Sequence, residues 1–547
     1  MKRMAAILLL LLVGFAVTAS PQSPQILALA RESIKAHSTG NLLLEQLLLR
    51  RLVIASSGDL SEAASHRLAE SSLESGDYSE TVRLLSYGDG TADVRSLQIR
   101  RDRALLGEAY RRSGDSATAT RILNAVFDET PNRDQPDDGA LMTVKSLDLI
   151  GGDLTEADHF RRGGVYQFNR HWAEARSHYQ QVQTTPDAAE ALFQTGRGYS
   201  QDANYAEAIP YFQGVIDHFP DTPQARDSLL QIASAYSRTG RTDEAISRYQ
   251  SFIEKYPTAE RLDRAYLNIV DVYRDLGDDA HALEWCRNTE MAFAGKLPES
   301  LAIFDEAKIY AAAHKHDMVI NALDRLENSG DFGGISVPGG TTSDEVLSMR
   351  VHALAPGRDD SPSQEWIDST NTLGIERLRS SITGTKSNYP VPFSDIIVRR
   401  AAATNVDPRL LFAIMRQESK FDPQARSNAA ARGLMQFTHP QALKIAKELG
   451  WTYFSDDELY SPENSIALSV RYLADLNAMF PEETEAIVAS YNGGEDNVKR
   501  WIARSRSSEP EDFVPEIVYG QTKDYVQKVM ANYRVYCRLY DRQLKPK

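Results

Sequence analysis

The 547-residue chain predicts an all-α protein, with paired helices stacked into a superhelix over residues 20–328 and a mainly helical C-terminal domain over residues 389–547. Three features carry this expectation. Tyr199, Tyr236 and Tyr273 recur at intervals of 37 residues, and nine residues after each comes an alanine: Ala208, Ala245 and Ala282. Glycine-led turns at Gly114-Asp115, Gly240-Arg241 and Gly277-Asp278 separate segments of helical length. Asp407-Pro408 then opens a stripe of helical period in which Leu411, Ile414 and Met415 share one face.

The chain begins with a short basic stretch, residues 1–4, and an apolar run over residues 5–17 that is short for a bilayer span. Val17 and Ala19 are small enough for cleavage before Ser20, so residues 1–19 are expected to be a secretory signal peptide. No cysteine follows the run, which argues against lipid attachment. The mature protein is expected in the periplasm, with no stable membrane anchor. A net charge of −15 (61 Lys and Arg against 76 Asp and Glu) argues against nucleic acid and anionic lipid as partners. The two cysteines, Cys286 and Cys537, are too few for a disulfide framework or a cysteine metal site, although one long-range bridge stays open.

In the repeats, Pro220 and Pro257 follow twelve residues after Ala208 and Ala245, and Tyr110, Ala119 and Pro131 reproduce the same spacings earlier. Small residues let paired helices approach, aromatics fill the wedge between them, and prolines end the second helix. The pattern resembles tetratricopeptide-type repeats, with a degenerate copy over residues 173–186 and fainter pairs continuing to about Asn328. Such a surface is suited to holding a polymer or a cell-envelope protein partner. Residues 329–388 read as a linker, rich in Gly, Pro, Ser and Asp at 329–345 and 355–365, with short helices at 346–354 and 364–381.

In the last domain Asp407 caps a helix, Pro408 suits its first turn, and the next position on the apolar stripe is Glu418. A carboxyl desolvated by that stripe and lying near the negative end of the helix dipole is expected to stay protonated near neutral pH, as a general acid requires. Downstream come Ser427, the run Gly433-Leu434-Met435-Gln436, the run Ala489-Ser490-Tyr491-Asn492-Gly493-Gly494, and Tyr525 in a final helical pattern. Other helices are expected over residues 439–449, stopped by Gly450, and from the Ser461-Pro462-Glu463 cap to about Phe480. Because no second histidine lies near His439 in sequence, neither a metal site nor any other cofactor is expected.

Taken in order, the motifs from Glu418 to Tyr525 resemble those of the soluble lytic transglycosylases, enzymes that cut the glycan strands of bacterial peptidoglycan. The resemblance covers residues 389–547 and implies a lysozyme-like, mainly α catalytic domain preceded by the superhelix. It implies that Glu418 protonates the oxygen between N-acetylmuramic acid and N-acetylglucosamine, then takes the proton of the muramyl 6-hydroxyl as a 1,6-anhydro end forms. It also implies glycan contacts from Ser427, Met435, Gln436, Tyr491, Asn492 and Tyr525. The chain departs from the family at Phe437-Thr438 after Gln436, at Gln521-Thr522 where relatives have Glu-Thr, and at Asn492-Gly493-Gly494 in place of Asn-Ala-Gly. Two other readings compete. A hydrolytic muramidase would need a second carboxylate to activate water, for which Asp422 is a weak candidate in a helix-stop sequence. A glycan-binding scaffold would predict loss of the acid or the tyrosines, and all are present.

Overall fold

The structure, a computed structural model, describes residues 23–38, 41–86, 97–129, 135–329, 346, 349–350, 353–354 and 389–547. The signal segment, Pro131, the 364–381 helix and nearly all of the 329–388 linker lie outside the described residues. Those described are helical, with only isolated bridges, Arg426 with Arg432, Arg432 with Phe437 and Tyr540 with Pro546, where strands would be. None of the described helices is long and apolar enough to cross a membrane.

The chain forms two compact units that do not follow chain order: residues 1–204 with 418–469, and residues 205–417 with 470–547. Within each, the repeat helices end and restart by one device. The backbone N–H of the residue five positions after the key tyrosine donates to its carbonyl at 2.9 Å, at Tyr110, Tyr166, Tyr199, Tyr236, Tyr273 and Tyr310. Where glycine enters the turn it is left-handed, as at Gly114 (φ 94°), Gly240 and Gly277 (both 74°). Cations stack on the ring faces: Arg176 lies 4.3 Å from the Tyr199 centroid and Arg241 4.2 Å from that of Tyr236.

Nine residues beyond each tyrosine stands a buried small or β-branched residue: Ala119, Ala175, Ala208, Ala245, Ala282 and Val319, none more than 2 % exposed. Tyr166 with Ala175 is the degenerate copy expected near 173–186. Tyr310, 37 residues after Tyr273, belongs to the fainter pairs expected as far as about Asn328, with Val319 in the place of the repeat alanine. The last repeat helix runs His316–Glu327, close to the expected end.

Cys286 is buried and Cys537 partly buried, and both are free thiols. Burial pushes both thiols up, away from the reactive thiolate form.

Candidate active site

The helix expected at Asp407 runs Pro408–Ser419. Asp407 caps it: its Oδ1 accepts from the Arg409 backbone N–H at 2.9 Å, and its carboxylate also holds the Arg409 guanidinium at 2.6 Å and the Tyr533 hydroxyl at 3.1 Å. Burial would raise the Asp407 pKa, but these hydrogen bonds outweigh it and hold the group low. Leu411, Ile414 and Met415 are each 0 % exposed, and Glu418 follows on the last turn, half-buried. An apolar stripe therefore leads to a carboxyl with partial access to solvent.

The chain leaves this helix through two consecutive left-handed non-glycine residues, Lys420 (φ 53°) and Phe421 (φ 72°), and the loop beyond holds two more, Ala430 (φ 59°) and Gln436 (φ 53°). Four such residues within 17 positions mark a loop whose shape is enforced by its surroundings. Ser427 organises one turn, its Oγ accepting from Ala429 N–H at 3.2 Å and Ala431 N–H at 3.1 Å. Gln436 ties off the other end, donating both Nε2 protons, to Ala425 O and Gly433 O, each at 2.9 Å. Two carbonyl acceptors fix the amide orientation, so the Gln436 oxygen is the atom left for another partner. Gly433 is irreplaceable: φ is 76°, and a Cβ there would lie 1.8 Å from the Leu459 carbonyl oxygen. Leu434 and Met435 are 0 % exposed, so Met435, assigned to glycan contact by resemblance, supports this loop from beneath.

Arg432, missed in the sequence, anchors the loop within the first unit. It is 0 % exposed and donates from Nη2 to Asp138 Oδ1 at 2.8 Å and Asn169 Oδ1 at 3.0 Å, and from Nη1 to Ala430 O at 2.9 Å. Asp138 also accepts from the Tyr460 hydroxyl at 2.6 Å, with Arg101 and Arg426 at 3.6 and 3.5 Å. Burial alone would raise Asp138, but Arg432, Arg426 and Arg101 together hold its carboxyl far below the usual range.

The expectation of an isolated His439 is corrected here. His171, at the start of the Trp172–Tyr179 helix, stacks on His439 with ring centroids 3.8 Å apart. Asp456 accepts from both, His171 Nε2 at 2.7 Å and His439 Nδ1 at 2.9 Å, and these three ligand-type atoms lie within 4.8 Å of one another. Sequence separation hid the pairing. Lys145 Nζ stands 3.2 Å from Asp456 and 3.4 Å from His171 Nε2, while Arg432 is 3.6 Å from Asp456. Those two cations already balance the carboxylate and would repel a metal dication, so the cluster is better suited to a hydrogen-bonded tether between helix starts.

Asp422, the only other carboxyl near the acid in sequence, is half-buried and accepts from Gln424 N–H at 2.9 Å; burial pushes it up, toward the protonated form.

Tyr491, Asn492 and Tyr525 belong to the second unit. Tyr491 ends the helix Thr484–Gly493 and is 9 % exposed, with its ring 5.6 Å from Tyr472; Tyr525, on Gly520–Leu539, is 5 % exposed. Asn492 is exposed, and its Oδ1 accepts from Thr522 Oγ1 at 2.8 Å. Gly493, one of the departures from the family pattern, therefore lies beside Thr522, the residue that follows another, Gln521. Thr522 packs on Gly493, where an added Cβ would sit 3.1 Å from Thr522 Cγ2 and 3.2 Å from Trp501. A glycine there leaves Thr522 room to hold Asn492.

Residues 395–514 match the family Transglycosylase SLT domain, and residues 186–292, within the repeats, match the family Outer membrane lipoprotein. A Haemophilus influenzae protein named as a soluble lytic murein transglycosylase is 32 % identical over 225 residues, 37 % of this chain and 38 % of that one. The soluble lytic murein transglycosylase of Escherichia coli K12 is 29 % identical over 157 residues, 28 % of this chain and 24 % of that one. The matched stretch thus spans well under half the length of these curated relatives. Among solved structures, the complex of the 70-kDa soluble lytic transglycosylase with bulgecin A aligns over 95 % of this chain and 93 % of that one, at 14 % identity and a TM-score of 0.38. Family and sequence likenesses agree with the motif order running from Glu418, and residues 395–514 are thus similar to the SLT domain of lytic transglycosylases.

Proposed function

We propose that this protein is an exported peptidoglycan lytic transglycosylase that cleaves the bond between N-acetylmuramic acid and N-acetylglucosamine without water. Its one acid, Glu418, protonates the bridging oxygen, then removes the muramyl 6-hydroxyl proton as that oxygen closes on C1. The atoms of the strand are conserved, and each cut leaves a 1,6-anhydro end. The observation that carries this reading is the half-buried carboxyl at the end of a fully buried apolar helix face, inside the stretch matched by the SLT family. A hydrolase of similar shape would need a second, ionised carboxylate as base. Asp422, the nearest such group in sequence, is engaged within its own loop, where it accepts from the Gln424 N–H at 2.9 Å. In the first unit, the Gln436 oxygen and the Ser427 hydroxyl proton are polar groups of the loop placed to orient a sugar. In the second unit Asn492 is the exposed member of the motif, held by Thr522, while Tyr491 and Tyr525 are largely buried.

The test is mass analysis of the sugars released from purified peptidoglycan by the mature protein and by Glu418→Gln. Muropeptides one water lighter than hydrolysis products are expected from the wild type, with the rate in the variant lower by about a hundredfold or more. Reducing-end products would overturn the reading in favour of hydrolysis, and absence of products from both proteins would favour a glycan-binding scaffold.

A further inference from the structure

The second unit holds a cavity of about 510 Å3 whose wall includes five arginines, Arg238, Arg274, Arg500, Arg504 and Arg506, against two aspartates, Asp275 and Asp279. Three of the arginines are accounted for by carboxylates. Arg274 donates to Glu516 at 2.5 Å and Asp305 at 3.4 Å, Arg504 to Asp271 at 2.6 Å and Asp275 at 2.5 Å, and Arg506 to both oxygens of Asp279 at 2.9 Å. The other two differ. Arg238 Nη1 donates to Asn497 Oδ1 at 3.2 Å, and Arg500 Nη2 donates to the same oxygen. Among the described residues neither forms an ion pair with a carboxylate. Two guanidinium groups therefore converge on one neutral acceptor, which Asn497 keeps in place by donating its own Nδ2 to Gly493 O at 2.7 Å.

This arrangement is poorly satisfied as it stands. An amide oxygen carries partial charge, whereas the forked donors of two arginines match a carboxylate's two oxygens, in hydrogen bonds roughly twice as strong as neutral ones. Burial and the neighbouring Arg238 push Arg500 down, with the attraction of Asp275 too weak to offset them. A carboxylate entering the cavity would relieve that repulsion, and the volume admits a short peptide.

We propose that the cavity binds the carboxylates of an acidic peptide, the kind of side chain that peptidoglycan strands carry, through Arg238 and Arg500. The proposal rests on peptidoglycan being the substrate. It gives the enzyme a way to distinguish peptide-bearing strands from bare glycan.

The test is a calorimetric titration of the full-length protein with sugar-free stem peptides released from peptidoglycan by an amidase, beside inorganic phosphate as a second probe. Peptide binding is expected, with affinity falling at least about tenfold in the double variant Arg238→Gln/Arg500→Gln. Asn497→Asp provides a variant that keeps both arginines: its carboxylate would occupy them from within, so peptide affinity should fall by a similar factor while thermal stability holds or rises. Unchanged peptide affinity in Asn497→Asp and in the double variant would overturn the proposal. So would phosphate binding as tightly as peptide with the same arginine dependence, since that marks an unspecific anion site. Cleavage of amidase-stripped strands, which lack the peptide, should be unaffected in the double variant. Failure of the wild type to cut intact, peptide-bearing peptidoglycan while still binding free peptide would count against the transglycosylase reading and leave the cavity assignment standing.

Discussion

The two units use charge in opposite senses. The first buries carboxylates and rings them with cations and imidazoles: Asp138 faces Arg432, Arg426 and Arg101, while Asp456 faces the cations Lys145 and Arg432 and the imidazoles of His171 and His439. The second buries arginines and rings them with carboxylates: Arg274 and Arg504 face Asp271, Asp275, Asp305 and Glu516. Around Asp138 and Asp456 the acid is outnumbered and held ionised. In the second, acids crowd one another as well as the arginines: burial, then the Asp305 and Asp275 carboxylates, push Asp271 up despite the pull of Arg504. The same residue types therefore differ in value. Asp138 in the first unit should be hard to replace, and Asp271 in the second should be partly redundant.

The sharpest break of that contrast is Arg432→Met. It removes a fully buried cation shared by two buried aspartates, and a cost of about 3–5 kcal/mol in denaturant unfolding is expected. Next comes Asp138→Asn, which keeps the hydrogen-bonding shape and loses the charge, at a cost of roughly 2–3 kcal/mol at neutral pH. A cost below about 1 kcal/mol for this variant would show that the first unit's acids are not held as described.

Glu45 tests the same idea through pH. Burial would raise its pKa, but His37 and Arg67 bring it down to about 2. A depressed folded-state pKa means that the stabilisation is present above the unfolded value of about 4.3 and disappears as pH falls through about 2. Glu45→Gln should therefore lower stability by about 1–3 kcal/mol at pH 6, with the difference from wild type closing between about pH 4.5 and 2. Denaturant unfolding at three pH values across that window measures it. The smallest effect is expected from Asp271→Asn, less than about 1 kcal/mol at neutral pH, because the raised pKa records how little the ionised form is favoured there. A loss matching that of Asp138→Asn would erase the contrast.

Much of this was legible from local signals. The helix Pro408–Ser419, its Asp407 cap and the stripe ending at Glu418 depend on neighbours within a few positions, and sequence displays those directly. Tyr110, Tyr199, Tyr236 and Tyr273 were legible by period or spacing, and the Tyr310 pair showed only faintly, since valine stands in for alanine there. Asp138 with Arg432 and His171 with His439 were not legible, because a charge or an imidazole carries no period that names its partner. Burial hid the rest. Met435 reads as a glycan contact from motif order and is fully enclosed, while Asp422 reads as a loop acid and is desolvated.

The first unit joins residues 1–204 to 418–469, and its central ion pair spans 294 positions of chain. Asp138 is made long before Arg432, so during synthesis it has to remain hydrated, and the surface around it cannot reach its final burial until the last third of the chain arrives. Such late closure makes assembly of this unit slow, dominated by contacts between distant segments. It also sets the size of a self-sufficient fragment. A piece cut at residues 395–514 would carry Arg432 without Asp138 and expose to water a guanidinium that is enclosed in the whole protein. The loop from Lys420 to Gln436 thus takes its shape partly from helices that precede it by hundreds of residues.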